Sequence, residues 1–154
     1  MVDIFQFAAI VLTALSMSVH FGTWLTEAPM RQTSSGAVFT EIQKGRDRIA
    51  SRVMPILENA AILLVAACVF LSRNVSIAFG LSIAGLVLIA ADMAVTLACN
   101  VPINKQVQSW NASAPPPVWA ELRDRWEKFH TIRTALIVLG FALFASSVVF
   151  FKVH

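Results

Sequence analysis

Four uninterrupted apolar stretches decide what this chain can become. They run over about residues 4–26, 54–71, 75–99 and 131–151. Each is close to the ~20 residues that carry a helix across a bilayer at ~1.5 Å per residue. Backbone amides in hydrocarbon must be satisfied within their own segment, so all four are predicted as transmembrane helices. Composition agrees. Hydrophobic residues are 57% of the chain and charged residues 14%, against ~45–50% and ~25% in soluble domains. A soluble globular domain and a disordered chain are thereby excluded. With 12 basic against 9 acidic residues, a net +3, the chain has no basic patch for a nucleic acid. The expectation is an all-α fold: one transmembrane domain over residues 1–154, an antiparallel four-helix bundle with both termini on the same side.

The first stretch reads as a retained helix rather than a signal peptide. Its first charge is Asp3, it has no basic leader, and it is longer than a ~7–15-residue signal core. Spans two and three are joined by a tight turn at Ser72-Arg73-Asn74. Residues 27–53 and 100–130 read as long polar loops on one side of the membrane. The second of these holds Pro115-Pro116-Pro117, which cannot be helical. Its later part, from Trp119 to His130, lacks Gly and Pro and is predicted to run as helix into span four. Ten Lys and Arg lie on the loop side, and two, Arg73 and Lys152, on the other. The positive-inside rule then places the loops in the cytoplasm and the termini outside, in an inner or plasma membrane if the cell is bacterial. Gly85 and Gly140 are among the small residues that let spans three and four approach closely. Cys68 and Cys99 fall near opposite ends of their spans, too far apart for a disulfide.

Ionisable groups within spans are costly and mark functional sites by default. Three stand out: His20 in span one, Glu58 in span two and Asp92 in span three; His130 and Arg133 open span four. Measured from the loop side, the first three lie ~9, ~6 and ~10 Å deep. Helices of alternating direction thus bring polar groups to the same end of the bundle. Helical stripes agree. Span four aligns Trp119, Trp126, His130, Arg133, Ile137, Phe141 and Phe144. Span one aligns Thr13, Ser16, His20, Trp24 and Glu27. Span two aligns Arg48, Arg52, Pro55, Glu58 and Ile62. Span three aligns Asp92, Thr96 and Cys99, with Asn100 about 80° off that line. The expectation is a pocket with a polar mouth and an apolar floor, suited to a flat, greasy ligand with a few oxygens.

Each group also has a plainer reading. Glu58 pairs with Arg52 or Arg133 to tie the bundle; Asp92 neutralises an arginine; His20 is a packing histidine. Trp24, Trp110, Trp119 and Trp126 form an interfacial belt. Arg46, Arg48, Lys105, Arg123, Arg125 and Lys128 serve topology and lipid head groups. There is no phosphate-binding glycine loop, no dinucleotide fingerprint, no CxxC and no tyrosine. His20, His130, Glu58 and Asp92 are enough ligands for a zinc ion, yet no local spacing demands one, so no metal site is assigned.

The C-terminal half carries a distinctive pattern: Asn100-Val-Pro-Ile-Asn-Lys105, then Arg125-Trp126, His130 and Arg133 entering the last helix. In this it resembles the anthrone oxygenase-like family of small four-helix membrane proteins, many of them of unknown function. Asn100, Pro102, Asn104, Arg125, Trp126, His130 and Arg133 fill the family's places. The N-terminal half matches only in span layout and in a polar residue late in span one. The resemblance implies a membrane oxygenase that oxidises an anthrone- or polyketide-like aromatic with molecular oxygen, without metal or flavin. On that implication His130 is the general base and Arg133 stabilises the anthrolate oxygen. Glu58 or Asp92 orients His130 or holds Arg133. Asn100 and Asn104 bind substrate oxygens, while Trp24 and Trp126 stack on its rings.

Two other readings stay open. In an up-down bundle His20 and His130 lie on neighbouring helices, where a pair of histidines can hold haem b or a metal ion, with arginines at the propionates. That would make a redox protein. The third reading is a non-catalytic accessory protein, its polar cluster a buried ion-pair network. Expected partners are the lipid bilayer and a small hydrophobic substrate; association into a homo-oligomer is left open.

Overall fold

The computed structural model describes residues 2–151, and these are all-helical, with no strand among them. Helix α1 is Val2–Thr33, α2 is Gly36–Leu71 and α3 is Ser76–Val95. A π-helical turn at Thr96–Asn100 leads into α4, Val101–Gln108, and α5 is Trp119–Phe150. The described residues thus form four continuous helical rods long and apolar enough to cross a membrane, α3, the π turn and α4 making one of them. Only about a fifth to a third of each apolar stretch is buried inside the protein. Ile4, Phe7, Leu63, Phe70 and Phe150 are exposed, the outward face a bilayer would cover. This is the makeup of a multi-pass integral membrane protein.

The helices are longer than the hydropathy suggested, and the expected loops are mostly absent. Residues 27–33 finish α1, and residues 36–53 are the first half of α2, so only two residues separate the helices. At 36 residues α2 is ~54 Å long, well beyond a ~30 Å hydrocarbon layer. Hydropathy marks where a helix leaves the bilayer, not where it ends. The polar half of α2 persists because it is amphipathic: Phe39, Thr40 and Gln43 are buried on one face, and the Ser35 hydroxyl caps its start by accepting from the Val38 amide. Likewise the expected loop over 100–130 shrinks to residues 109–118, around the three prolines. The tight turn after Leu71 and the helix running from Trp119 into the last span are as expected.

Contacts along α5 run against both of its main neighbours. Ser82 meets Ser147 at 2.8 Å, Asp92 meets Arg133, and Asn100 meets Trp126: numbers rise on α3 as they fall on α5. On α1, His20 meets Arg133, Thr23 meets His130, and Arg31 meets Glu127. Gly85 and Gly140 make the closest approach. A Cβ on Gly85 would lie 2.9 Å from the Gly140 carbonyl oxygen, and one on Gly140 would lie 2.9 Å from Ile89 Cγ1. Two apolar clusters fill the interior. Ala9, Val65, Cys68, Ile89, Ile137 and Phe144 form one; Phe39, Ile103, Val107 and Trp126 form the other. Both cysteines are free.

Candidate functional site

Each of the four rods contributes one ionisable side chain to a single buried cluster: His20 from α1, Glu58 from α2, Asp92 from α3 and Arg133 from α5. Arg133 is the hub. Its Nε donates to Asp92 Oδ1 at 2.9 Å, its Nη2 donates to His20 Nε2, and the same Nη2 lies 3.3 Å from Glu58 Oε1. His20 Nε2 is also 3.2 Å from Glu58 Oε1. The tautomer of His20 follows from its other nitrogen. Nδ1 lies 2.9 Å from the Ser16 carbonyl, which only accepts, so Nδ1 carries the hydrogen and Nε2 the lone pair that Arg133 meets. Arg133 Nη1 has no hydrogen-bond partner among the described residues, and Arg133 lines a cavity.

That cavity has a volume of about 350 Å³, at the small end of the ~300–1,000 Å³ typical of ligand pockets. His20, Glu58 and Arg133 form one part of its wall. Val19, Met54, Pro55, Met93 and Leu97 give it apolar surface. Gln43, Arg46, Asp47, Asn104, Lys105 and Trp126 give it a polar region. Pro55 has no amide hydrogen, so the Ser51 carbonyl one turn before it loses its helical donor beside the cavity.

Trp126 organises the polar region. Its indole Nε1 donates to Asn104 Oδ1 at 2.8 Å, and Gln43 Nε2 donates to the same oxygen at 2.8 Å. Asn104 Nδ2 in turn donates to Asp47 Oδ1 at 2.8 Å. The guanidinium carbons of Arg31 and Arg46 lie 4.8 and 4.9 Å from the Trp126 ring centre. Arg31 is fully buried and paired with Glu127 and, at 2.6 Å, with Glu27.

The structure brings His20, Glu58, Asp92 and Arg133 together and sets Asn104 and Trp126 on the same cavity. Asn100 is buried beside it, donating Nδ2 to the Trp126 carbonyl at 3.1 Å. Trp24 is elsewhere: its indole donates to Thr131 Oγ1 at 3.1 Å and borders a separate shallow groove with Phe21 and Val138. The expectation that Trp24 joins Trp126 in stacking on the substrate's rings is corrected on that ground. His130 is buried one layer behind the cavity wall, its ring centre 4.7 Å from that of Trp126. The Thr23 hydroxyl donates to the Val19 carbonyl at 2.8 Å, so it accepts from His130 Nε2–H at 3.1 Å. His130 Nδ1 is left buried without a partner.

His20 and His130 have ring centres 6.4 Å apart, yet their Nε2 atoms are engaged by different partners, Arg133 with Glu58 in one case and Thr23 in the other. They do not present a pair of axial ligands to one porphyrin. The donor atoms of His20, Glu58 and Asp92 lie within 4.8 Å of one another, a spacing that could hold a metal ion. The Arg133 guanidinium, however, already supplies a cation to that same trio.

The stripe expected through Arg48 and Arg52 is corrected too. Both are exposed, and the cavity face of α2 runs through Gln43, Arg46, Asp47, Ala50, Met54 and Glu58. Glu58 therefore meets Arg133 and His20, not Arg52. Arg46, read as a topology charge, is a cavity residue. Its signal was present as the four-residue and three-residue steps from Gln43 to Glu58, hidden by the assumption that residues 27–53 were loop.

The sequence matches the family model for anthrone oxygenase over residues 47–143. That stretch contains Glu58, Asp92, Asn104, Trp126 and Arg133, and leaves out His20 and Arg46. No curated protein and no solved structure matches the chain.

Proposed function

The chain belongs to the anthrone oxygenase family, and from that premise we propose that it oxidises a flat aromatic carbon acid of the anthrone type with molecular oxygen, at the cavity walled by His20, Glu58 and Arg133. The observation that carries this reading is the four-helix cluster opening on an otherwise largely apolar cavity. An anthrone has a methylene between two aromatic rings, opposite a ketone. Removing one of its protons spreads the electron pair onto the ketone oxygen. A carboxylate suffices as base for such a carbon acid when donors meet the oxygen as it becomes negative.

Glu58 takes the part of the base. It lines the cavity, and its Oε1 is held by Arg133 at 3.3 Å. Arg133 is the oxyanion partner, offering the Nη1 that no group among the described residues uses. His130, the base that the family resemblance implies, sits behind Trp126 rather than on the wall; here it buttresses Trp126. Asp92 holds Arg133 through its Nε. The carbanion passes its electrons to oxygen, a carbon–oxygen bond forms, and the resulting hydroperoxide loses water as the second methylene proton leaves. One methylene and one O2 thus give one carbonyl and one water, and the proton taken by Glu58 is returned to the departing oxygen.

The test uses the purified chain in lipid nanodiscs with an anthrone, recording oxygen uptake and quinone absorbance together. Equal consumption of anthrone and oxygen, above the protein-free rate, is expected, and Glu58→Gln should lower it by ~10²–10⁴-fold. A rate equal to that of empty nanodiscs would overturn the assignment.

A further inference from the structure

Resting on that reading, we infer that substrate enters and product leaves sideways, through a seam between α2 and α3 that faces the hydrocarbon of the bilayer, and not from water at the polar end of the bundle. Ser51, Pro55 and Asn59 recur at four-residue steps along α2, so they share one helix edge. Met93, Leu97 and Val101 recur at the same step along α3 and its continuation. All six line the cavity, and Ser51, Pro55, Asn59 and Leu97 are also exposed. Among the described residues no side-chain hydrogen bond or ion pair crosses from residues 50–59 to residues 93–101.

Both ends of the seam are shut. Toward the polar end Asn104 accepts from Gln43 and donates to Asp47, each at 2.8 Å, and Gln108 donates to Asp47 Oδ2 at 3.0 Å. Toward the other end Val65 and Cys68 of α2 share the apolar core with Ile89 of α3. The stretch left open, from Ser51 to Asn59, is ~12 Å long along the α2 axis. The other helix pairs are tied together near the cluster. Thr23 meets His130 and Trp24 meets Thr131 between α1 and α5, each at 3.1 Å. Asp92 meets Arg133 between α3 and α5 at 2.9 Å, and His20 meets Glu58 between α1 and α2 at 3.2 Å.

The outside of this seam is apolar. Ile56, beside Pro55, is 74% exposed and Leu97 is 61% exposed, a surface that suits lipid. The hydrophobic effect concentrates a flat apolar molecule in the bilayer, on that side of the protein. From the polar end the same molecule has to displace the bonds among Gln43, Asp47, Asn104 and Gln108, leaving polar groups unpaired at a cost its own surface does not repay. From the bilayer it has only to pass Leu97, Met54 and Met93 to reach Glu58. The two methionines are unbranched and re-orient easily, so the passage opens without breaking a hydrogen bond.

Entry can be read from binding kinetics without turnover. Anthraquinone carried in liposomes is mixed rapidly with the chain in nanodiscs, following quenching of tryptophan emission, since Trp126 lines the cavity. Asn59→Cys or Leu97→Cys is made in a Cys99→Ser background, Cys68 being buried, and coupled to a bulky maleimide. Both positions are exposed, so both adducts fold. Either should slow association and dissociation together by at least ~10-fold and leave Kd within ~3-fold, because a group on the path but off the seat changes both rates alike. The same adduct on Phe21→Cys, at the α1 and α5 groove, or on Gln108→Cys, at the polar end, should leave both rates within ~2-fold. Unchanged rates in both seam adducts, equal slowing at Phe21 or Gln108, or no saturable quenching at all overturns the inference. Turnover of anthrone separates the two claims. Oxidation with rates that the seam adducts leave intact sinks the lateral route alone. Slowed binding with no oxidation by the unlabelled chain sinks the oxidase reading and leaves a cavity filled from the bilayer.

Discussion

Replacing Arg133 with Gln gives the sharpest test of the cluster. The guanidinium is the cation for two buried carboxylates, at 2.9 Å from Asp92 and 3.3 Å from Glu58, and it also bonds His20. Gln keeps much of the volume and some hydrogen bonding, so the loss is mainly of charge. Removing one partner of a buried ion pair costs ~3–5 kcal/mol, because the other charge stays in low dielectric without compensation. For a chain of this size each kcal/mol moves the melting point by ~2–4 °C, so a fall of ~6–20 °C is expected. The assay is thermal unfolding in detergent, followed by intrinsic fluorescence. Adding Asp92→Asn to Arg133→Gln removes one stranded charge and should recover part of the loss, whereas Asp92→Asn alone destabilises. If Arg133→Gln melts with the wild type, or the second substitution lowers stability further by its full single-mutant amount, the charge argument is wrong.

Three further outcomes are expected. His130→Ala should retain far more turnover than Glu58→Gln, measured as quinone formation; the reverse order would return the base to His130. Gly140→Ala puts a methyl 2.9 Å from Ile89 Cγ1 and 3.1 Å from the Gly85 carbonyl oxygen, so it should cost ~1–3 kcal/mol of stability, seen as a lower melting point. Asn104→Leu leaves the Trp126 indole and the Gln43 amide without their shared acceptor. It should raise KM more than it lowers kcat, and an unchanged KM would show that the polar region does not touch substrate.

Much of this was legible in sequence because burying charge is expensive. A His, a Glu, an Asp and an Arg at one depth on four apolar helices have few ways to be satisfied except by one another, and they meet as expected. Two features were not legible. The first is the helical state of residues 36–53. Hydropathy cannot distinguish a polar helix from a loop, so Gln43 and Asp47 were assigned no place and Arg46 only that of a topology charge. The second is the π turn. On a regular helix Asn100 falls ~80° from Asp92, yet both are buried. The Val101 amide reaches back five residues to Thr96 instead of four, which absorbs one residue and swings Asn100 to within ~20° of Asp92's line. Pro102 follows at once and lacks the amide a regular turn would use there.

The charge of the cluster explains why such an expensive arrangement suits the proposed chemistry. Arg133 supplies one positive charge against the two carboxylates Glu58 and Asp92, and His20 as hydrogen-bonded to Ser16 and Arg133 adds none. The resting cluster is thus one proton short of neutral in a place where uncompensated charge is costly. Taking a proton from a carbon acid makes the cluster neutral and moves the negative charge onto the ligand oxygen. There it meets Arg133 Nη1 instead of a side chain fixed in the protein, while Glu58 holds the proton. The burial cost is therefore largest in the ground state and relieved as the reaction proceeds, which is differential stabilisation of the transition state. A neutral cluster, as Glu58→Gln would create, keeps the fold's contacts and forfeits that difference.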